Sequence, residues 1–155
     1  ANLAALIANK GYFYTPHIIK SIEGSEIDEK YRTKHVIDIK EKYFDVVQYG
    51  MELAVKKGTA RFGQIDSLVF CGKTGTAQNP HGEDHSIFMG FAPKDKPQIA
   101  IAVYVENSGF GATWAVPIAS LMIEKYLYRE ISPKRKHVEK RMMESVIDPN
   151  TDKKE

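Results

Sequence analysis

The sequence predicts an α+β fold in which helices flank an antiparallel sheet, and three observations support this. Residues 40–58 and 113–128 repeat apolar side chains at helical spacing. Residues 66–77, 85–93 and 97–108 are rich in β-branched and aromatic side chains, which is typical of strands. Short links join these three strands, and short links connect antiparallel neighbours, because a parallel pair needs a long crossover. The last helix should pack on the sheet.

Composition places the chain among ordinary globular domains. Its 155 residues are enough for one domain with a core, and 43% of them are hydrophobic and 27% charged. The net charge of +2, from 22 basic and 20 acidic residues, gives no case for a nucleic-acid partner. Cys71 is the single cysteine, so no disulfide forms within the chain. No apolar run reaches the length of about 18 residues that a membrane-spanning helix needs.

The first 40 residues predict a helix, a strand and a polar segment. Leu3, Leu6 and Ile7 share one helical face, and Gly11 favours a helix end. No capping residue stands before Ala1, so we expect the chain to be a piece of a longer protein whose helix begins at or before this point. Residues 12–22 predict a strand interrupted by a proline, and residues 23–40 predict a loop or an edge hairpin.

The spacing of apolar residues predicts which face of each later element is buried. In the helix over residues 40–58 we expect the face formed by Phe44, Val47, Met51 and Ala54 to be buried. The nearly continuous apolar run over residues 99–105 predicts a strand that is buried on both faces. In the last helix the face against the sheet should consist of Val116, Ala119, Ile123 and Leu127. From residue 132 onward the charged sequence indicates a solvated tail, in which residues 136–147 form a short helix in the alternative interpretation.

Gly72-Lys73-Thr74 matches the end of a phosphate-binding loop, but its surroundings exclude that function. Such a loop has the pattern G-x-x-x-x-G-K-[ST], whose first glycine would fall at Ser67. The four intervening residues are apolar and favour a strand, and Gly75 and Pro80 oppose the helix that should follow.

A strand through Lys73 and Thr76 indicates a different use. Alternation places Lys73 and Gly75 on one face and Thr74 and Thr76 on the other. At an edge, such a strand can bind an extended peptide by strand addition. A lysine, two threonine hydroxyls and a bare glycine backbone then suit a peptide that ends in a carboxylate. The three residues alone match equally well a surface lysine beside a glycine bulge in an ordinary strand.

The wider context resembles the penicillin-binding proteins. GKTGTAQNPHGEDHSIFMGFAP resembles their Lys-Thr-Gly region, which accompanies S-x-x-K in serine acyl enzymes of this kind. KKGTARFG, MGFAP and IAVYVEN resemble class B members. ANLAALIANKGYFYTPHIIKSI is similar to the segment after the S-x-N motif of the elongation-specific, penicillin-binding protein 2 type of D,D-transpeptidase. The resemblance covers residues 1–128.

The resemblance implies a fold, a domain boundary and a location. The sheet would be the three C-terminal strands of the penicillin-binding and β-lactamase-like fold. Residues 1–131 would be the C-terminal part of a transpeptidase domain, and residues 132–155 a charged tail. The parent protein would be anchored in the bacterial inner membrane, with this domain on the periplasmic side. The family sheet has two further strands beside residues 99–105, so we expect that edge to be open here and to promote self-association.

The resemblance also assigns roles to four residues. Lys73 keeps the site electropositive and is linked to the S-x-N serine, and Thr74 packs or hydrogen-bonds beneath the strand. Gly75 leaves room for the substrate. The hydroxyl of Thr76 meets the carboxylate of the substrate or β-lactam, and its N–H is one of two oxyanion donors. Lys73 and Thr76 are thus the catalytic candidates, and all four contact substrate; no cofactor or metal is implied.

The other two motifs of the family are absent from the sequence. No serine is followed by Lys three positions later or by Asn two positions later, as inspection shows for Ser21, Ser25, Ser67, Ser86, Ser108, Ser120, Ser132 and Ser145. The resemblance therefore implies that the nucleophilic serine and the general-base lysine lie outside the chain. We expect the chain alone neither to cross-link peptides nor to be acylated by penicillin.

The implied reaction is serine acyl transfer from a D-alanyl-D-alanine stem peptide to an amine of a neighbouring strand. Peptidoglycan stem peptides, β-lactam antibiotics and membrane proteins of the elongation complex are the implied partners. A non-catalytic β-lactam-sensing domain and a serine β-lactamase relative are the alternatives. The long match beyond the triplet favours the transpeptidase.

Other residues carry weaker signals. Cys71, His81, Asp84 and His85 suggest a metal site, but Pro80 and Gly82 oppose the helix that would align the histidines, and a second cysteine is lacking. We therefore expect loop roles for His81 and His85, near the mouth of the site. Phe110 and Trp114 are expected to be core anchors. The run of lysines and arginines over residues 132–141 is expected to be solvated rather than bound to nucleic acid or lipid.

Overall fold

A computed structural model of the chain describes residues 1–147. The helices are α1 (Asn2–Ala8), α2 (Glu29–Arg32), α3 (Glu41–Lys56), α4 (Ala115–Tyr128) and α5 (Lys136–Glu144). The strands are β1 (Tyr12–Tyr14), β2 (Lys34–Val36), β3 (Cys71–Ala77), β4 (His85–Ala92) and β5 (Ile99–Val105). Short 3-10 turns form at Arg61–Gly63 and Pro133–Arg135. Within residues 1–147, no helix combines the length and apolarity needed to span a bilayer.

The predicted antiparallel sheet is confirmed, with strand order β3-β4-β5. Lys73 faces Met89 across β3 and β4, and Met89 faces Ala102 across β4 and β5. The prediction that β5 is buried on both faces is wrong, because Ala102 and Tyr104 are exposed. Helix α1 packs on that face but, with seven residues, it is about 10 Å long. A strand of the length of β5 is about 23 Å long, so α1 covers only one end.

Helix α4 packs on the other face of the sheet, as predicted. Its side chains form one hydrophobic core with the central strand, and the members include Val116, Ala119, Ile123, Phe88 and Ala92. Leu127 is partly buried against the same core. The helix therefore anchors the C-terminal part of the chain to the sheet beneath the motif strand.

Helix α3 buries a different face from the one that its apolar residues predict. The buried residues are Phe44, Gln48, Met51, Glu52 and Val55, whereas Val47 is 45% exposed. Gln48 is buried because its amide donates to the carbonyl of Ile7 at 2.7 Å. Glu52 is buried because Lys94 and Lys56 pair with its carboxylate. Because these two polar side chains have partners, they can be buried, and the buried face of α3 differs from the all-apolar face that was predicted.

The N-terminal segment is less regular than predicted. Helix α1 buries Ala4, Ile7 and Ala8, and Leu3 of the expected stripe is exposed. The strand expected over residues 12–22 ends at Tyr14, before the proline, and pairs with β2. The four-residue helix α2 lies within the segment expected to be a loop or hairpin. Its N-terminus is capped by Asp28, whose carboxylate accepts from the Lys30 amide.

The expected solvated tail is only partly correct, because Arg135 is buried against α4 whereas α5 has no buried residue. The alternative interpretation, a short helix, is what the structure shows, over Lys136–Glu144. The predicted domain boundary after residue 131 stays a prediction, and residues 148–155 of the expected tail lie outside the described residues.

Candidate active site

The motif lies on an edge strand of the sheet. Within residues 1–147, β3 pairs with β4 on one side and with no strand on the other. Lys73 and Thr76 are exposed, and Thr74 and Gly75 are partly buried. The motif therefore stands on an extended strand, as expected, and not in a loop.

Lys73 directs its charge along the strand. Its Nζ donates to the carbonyl of Thr74 at 2.7 Å. Lys73 lies on the same face of β3 as Cys71, which is buried in the core with residues of α1 and α3. Lys73 lies beyond this covered part of the face, and its ammonium group is in solvent. This places a positive charge beside the open edge.

Thr74 ties the strand to the segment after α3. Its Oγ1 lies 2.7 Å from the Oγ1 of Thr59, and the two hydroxyls share a hydrogen bond. The role that the resemblance implies for Thr74 stays a prediction. Sequence reasoning does not single out Thr59, although it belongs to the family-like segment KKGTARFG.

Gly75 is approached closely by the loop between β5 and α4. A Cβ on Gly111 would lie 2.6 Å from the carbonyl oxygens of Gly75 and Ile87, so only glycine fits at Gly111. A Cβ on Gly75 would itself lie 3.3 Å from Cβ of Ile87. The loop therefore contacts the backbone carbonyl of Gly75, whereas the space above the Cα of Gly75 is bordered by Ile87.

The link between β3 and β4 is held by its own polar side chains. The backbone N–H of Asn79 donates to Oδ1 of Asp84 at 3.1 Å, and the side-chain Nδ2 of Asn79 donates to Oδ1 of Asn107 at 2.6 Å. Nδ1 of His85 accepts from the N–H of Asn107 at 3.0 Å. Among residues 1–147, no three His, Cys, Asp or Glu side chains come together as a metal site would require. His81 lies in the turn between the strands, as expected, whereas His85 is the first residue of β4.

Phe110 is not a core anchor, because its side chain is 74% exposed. Its backbone is fixed while its ring faces solvent: the hydroxyl of Ser86 donates to its carbonyl at 3.0 Å. Trp114, the other expected anchor, is partly buried. A β5–α4 loop that contacts Gly75 therefore displays an exposed aromatic ring.

The environment of Cys71 does not favour a role as a nucleophile. The thiol is fully buried and its Sγ donates to the carbonyl of Gln48 at 3.3 Å. Burial raises the pKa of the Cys71 thiol to about 12, so the thiolate is scarce at neutral pH.

Comparison with known proteins agrees with this geometry. Residues 1–124 match the family model described as the penicillin binding protein transpeptidase domain. The chain is 29% identical to the peptidoglycan D,D-transpeptidase MrdA of Haemophilus influenzae, over 88% of this chain and 24% of that protein. The chain thus spans about a quarter of the length of this curated relative.

Solved structures give the same result. Penicillin-binding protein 2 of Pseudomonas aeruginosa, in complex with WCK 5153, superimposes with a TM-score of 0.70 at 35% identity, over 85% of this chain and 30% of that one. Penicillin-binding protein A of Mycobacterium tuberculosis, as a ceftriaxone acyl-enzyme complex, gives 0.69 at 27% identity, over 81% and 31%. With Lys-Thr-Gly on the edge strand and the family model matched over most of the chain, the chain belongs to the penicillin-binding protein transpeptidase domain family and is of the penicillin-binding protein 2 type.

Proposed function

We propose that the whole protein is a peptidoglycan D,D-transpeptidase and that this chain supplies the substrate-binding edge of its catalytic domain. The observation that carries the proposal is the pair of exposed residues Lys73 and Thr76 on the open edge of β3. An extended stem peptide ending in D-alanyl-D-alanine adds to β3 as a further strand. Strand β3 supplies both the positive charge and the hydrogen-bonding groups that bind the carboxylate end of the peptide.

Each motif residue then has a role in acyl transfer. The backbone N–H of Thr76 donates to the oxyanion of the tetrahedral intermediate, and one such donor contributes about 2.7–4 kcal/mol to transition-state stabilisation. The Thr76 hydroxyl binds the terminal carboxylate, and Lys73 holds the potential of the site positive. The serine that forms the ester, and the lysine that activates it, come from the rest of the protein.

β-Lactams occupy the same edge, because they acylate the same serine and carry a carboxylate in the position of the peptide terminus. The ceftriaxone acyl-enzyme described for the Mycobacterium tuberculosis relative supports this part of the proposal. We further propose an inner-membrane anchor, a periplasmic location for this domain, and elongation-complex membrane proteins as partners. These follow from the type of transpeptidase that the chain resembles.

The proposal is tested by the rate at which a fluorescent penicillin acylates the whole protein. Thr76→Val removes the hydroxyl and keeps the backbone N–H. We expect it to slow acylation about 10- to 100-fold, the effect of losing a hydrogen bond to a charged group. Gln78→Ala, at an exposed position beyond the strand, is the matched control and should acylate at the wild-type rate.

The isolated 155-residue chain provides a second test, and we expect no covalent label on it at any serine. Labelling of the isolated chain would contradict the proposal that the nucleophile lies outside it. Equal acylation rates for Thr76→Val and the wild type would contradict the role of β3.

A further inference from the structure

A cleft lies behind the β5–α4 loop, on the side of that loop that faces α5. It is formed by the turn at Arg61–Gly63, by the end of the loop and the first turn of α4, and by α5. Its volume is about 360 Å³, which is within the range of small-molecule sites. The residues that line it are Phe62, Ala112, Thr113, Pro117, His137, Val138 and Arg141.

Arg141 gives the α5 side of the cleft a permanent positive charge. His137 and Arg141 are four residues apart, so they project from the same face of the helix. Nitrogen Nη2 of Arg141 donates to the carbonyl of Thr113 at 3.3 Å, which uses one of five guanidinium N–H groups.

Both acidic residues of α5 are already paired with lysines. Glu139 pairs with Lys136 at 2.8 Å, and Glu144 pairs with Lys140 at 4.0 Å. Within residues 1–147, no ion pair to a carboxylate forms at Arg141. The fork of Arg141 is therefore available to an external anion, for which its geometry suits a carboxylate.

The opposite wall is apolar and aromatic. The Phe62 side chain is 62% exposed, and the buried Pro117 completes this wall, while Val138 adds an apolar side chain on the α5 side. The guanidinium of Arg61 lies 4.5 Å from the centre of the Phe62 ring, which adds a second permanent positive charge at this edge. A ligand with a ring or short apolar chain would remove the Phe62 ring from water while its anion meets Arg141.

We propose that this cleft is a binding site for an organic carboxylate attached to an aromatic ring or a short apolar chain. It is separate from the edge of β3, but the two share the β5–α4 loop: Thr113 lines the cleft and Gly111 contacts Gly75. The inference does not rest on the transpeptidase proposal, because it uses only residues outside the motif.

The test is a titration of the ¹⁵N-labelled 155-residue chain, followed by amide chemical shifts. The probes are 3-phenylpropionate, the neutral and nearly isosteric 3-phenylpropanamide, and inorganic phosphate. We expect phenylpropionate to shift the amides of Thr113, Val138 and Arg141 with a Kd of about 1–10 mM, which is typical of so small a ligand. The neutral amide and phosphate should each bind at least about fivefold more weakly, because each lacks one of the two contacts.

Two charge variants on α5 distinguish specific binding in the cleft from general electrostatic attraction to the helix. Arg141→Gln should weaken phenylpropionate binding about tenfold. Lys140→Gln removes the same charge from a neighbouring residue that does not line the cleft, and it should change the Kd less than about twofold. Phe62→Ala should reduce the advantage of phenylpropionate over phosphate.

Several results would overturn the proposal. Equal binding of phenylpropionate and its amide would exclude a carboxylate site, and equal binding of phosphate would show an unspecific anion contact. Equal effects of Arg141→Gln and Lys140→Gln, or shifts confined to amides away from the cleft, would show that the ligand binds elsewhere.

Discussion

Gly72 and Gly90 face each other across β3 and β4, and the buried ring of Phe88 occupies the space above both. A side chain at Gly72 would overlap the Phe88 ring, and a Cβ at Gly90 would lie 2.5 Å from the Cys71 carbonyl oxygen. Two glycines beside the motif are therefore packing requirements for an aromatic core residue, and they bring the two strands that carry the site into register.

Gly72→Ala is expected to destabilise the chain by about 1–3 kcal/mol, because the fully buried Phe88 has little room to move away from a new methyl group. Urea unfolding followed by circular dichroism measures the change. Gly50→Ala is the matched control. Gly50 lies inside α3 and is exposed, and a methyl group there would meet no other side chain within 4 Å, so this variant should gain about 0.5–1 kcal/mol. A neutral or stabilising Gly72→Ala would contradict the described packing.

The Cys71 thiol is expected to be unreactive in the folded chain. Burial raises its pKa to about 12, so the thiolate that reacts with disulfide reagents is depleted at pH values near 8. Reaction with Ellman's reagent should be slow without denaturant and accelerate in urea as the chain unfolds. Because the pKa is higher in the folded chain than in the unfolded one, the contribution of the thiol to stability is fully present below about pH 9 and is lost as the pH rises towards about 12. Equal rates with and without urea would contradict burial.

Residue patterns predict the strand that carries the motif better than they predict the tertiary contacts around it. The strand that carries Lys73 and Thr76 is predicted from its residue types, but alternation puts these two residues on opposite faces and does not predict that both are exposed. The contacts of Thr74 with Thr59 and of Gly75 with Gly111 join segments 15 and 36 residues apart, and no local pattern specifies such pairs. The expectation for Phe110 is wrong for a related reason: its type favours burial, but the hydrogen bond from Ser86 that fixes its backbone is a tertiary contact.

At the scale of elements, helix and strand positions are predictable and buried faces are less so. The apolar face of α4 is predicted because the whole of it meets the sheet. The face of α3 is not, because Gln48 and Glu52 are buried with partners on α1 and on the turn after β4. A polar residue with a distant partner is indistinguishable in sequence from a solvated one.

A buried ion pair anchors the turn before α5 to α4. Nη1 of Arg135 donates to Glu124 at 2.7 Å, and its Nη2 donates to the hydroxyl of Ser120 at 2.5 Å. The other oxygen of Glu124 accepts from the N–H of Ser132. Burial lowers the pKa of Arg135, with the attraction of Glu124 opposing the shift. The turn before α5 is thereby fixed to the inner side of α4, and α5 follows it along the surface.

Arg135→Ala is expected to destabilise the chain by about 3–5 kcal/mol, because it leaves the carboxylate of Glu124 buried without its cation. Lys134→Ala is the adjacent control: its pair with Asp66 has side chains 82% and 75% exposed, so its loss should cost less than about 1 kcal/mol. Both values come from urea unfolding. Similar small losses in the two variants would show that the buried pair does not anchor α5.

At the scale of the whole molecule, both edges of the sheet are open within residues 1–147. The edge of β3 carries an exposed lysine and a threonine, whereas β5 has the sequence IAIAVYV with no charge. Charged side chains protect an edge from pairing with another chain, and β5 lacks them. The open edges therefore differ in chemistry: β3 suits a polar peptide end, and β5 suits another apolar strand.

We expect the 155-residue chain to self-associate through β5 as its concentration rises, with the mass followed by light scattering. Ala102 is the middle residue of Ile99–Val105 and is exposed, so centred antiparallel pairing of two copies places it opposite its own counterpart. Ala102→Lys would set two like charges face to face and should shift the chain to monomer. Gly50→Lys adds the same charge on the exposed side of α3 and should leave the association unchanged. A wild-type chain that stays monomeric at all concentrations, or equal effects of the two lysines, would exclude β5 as the contact.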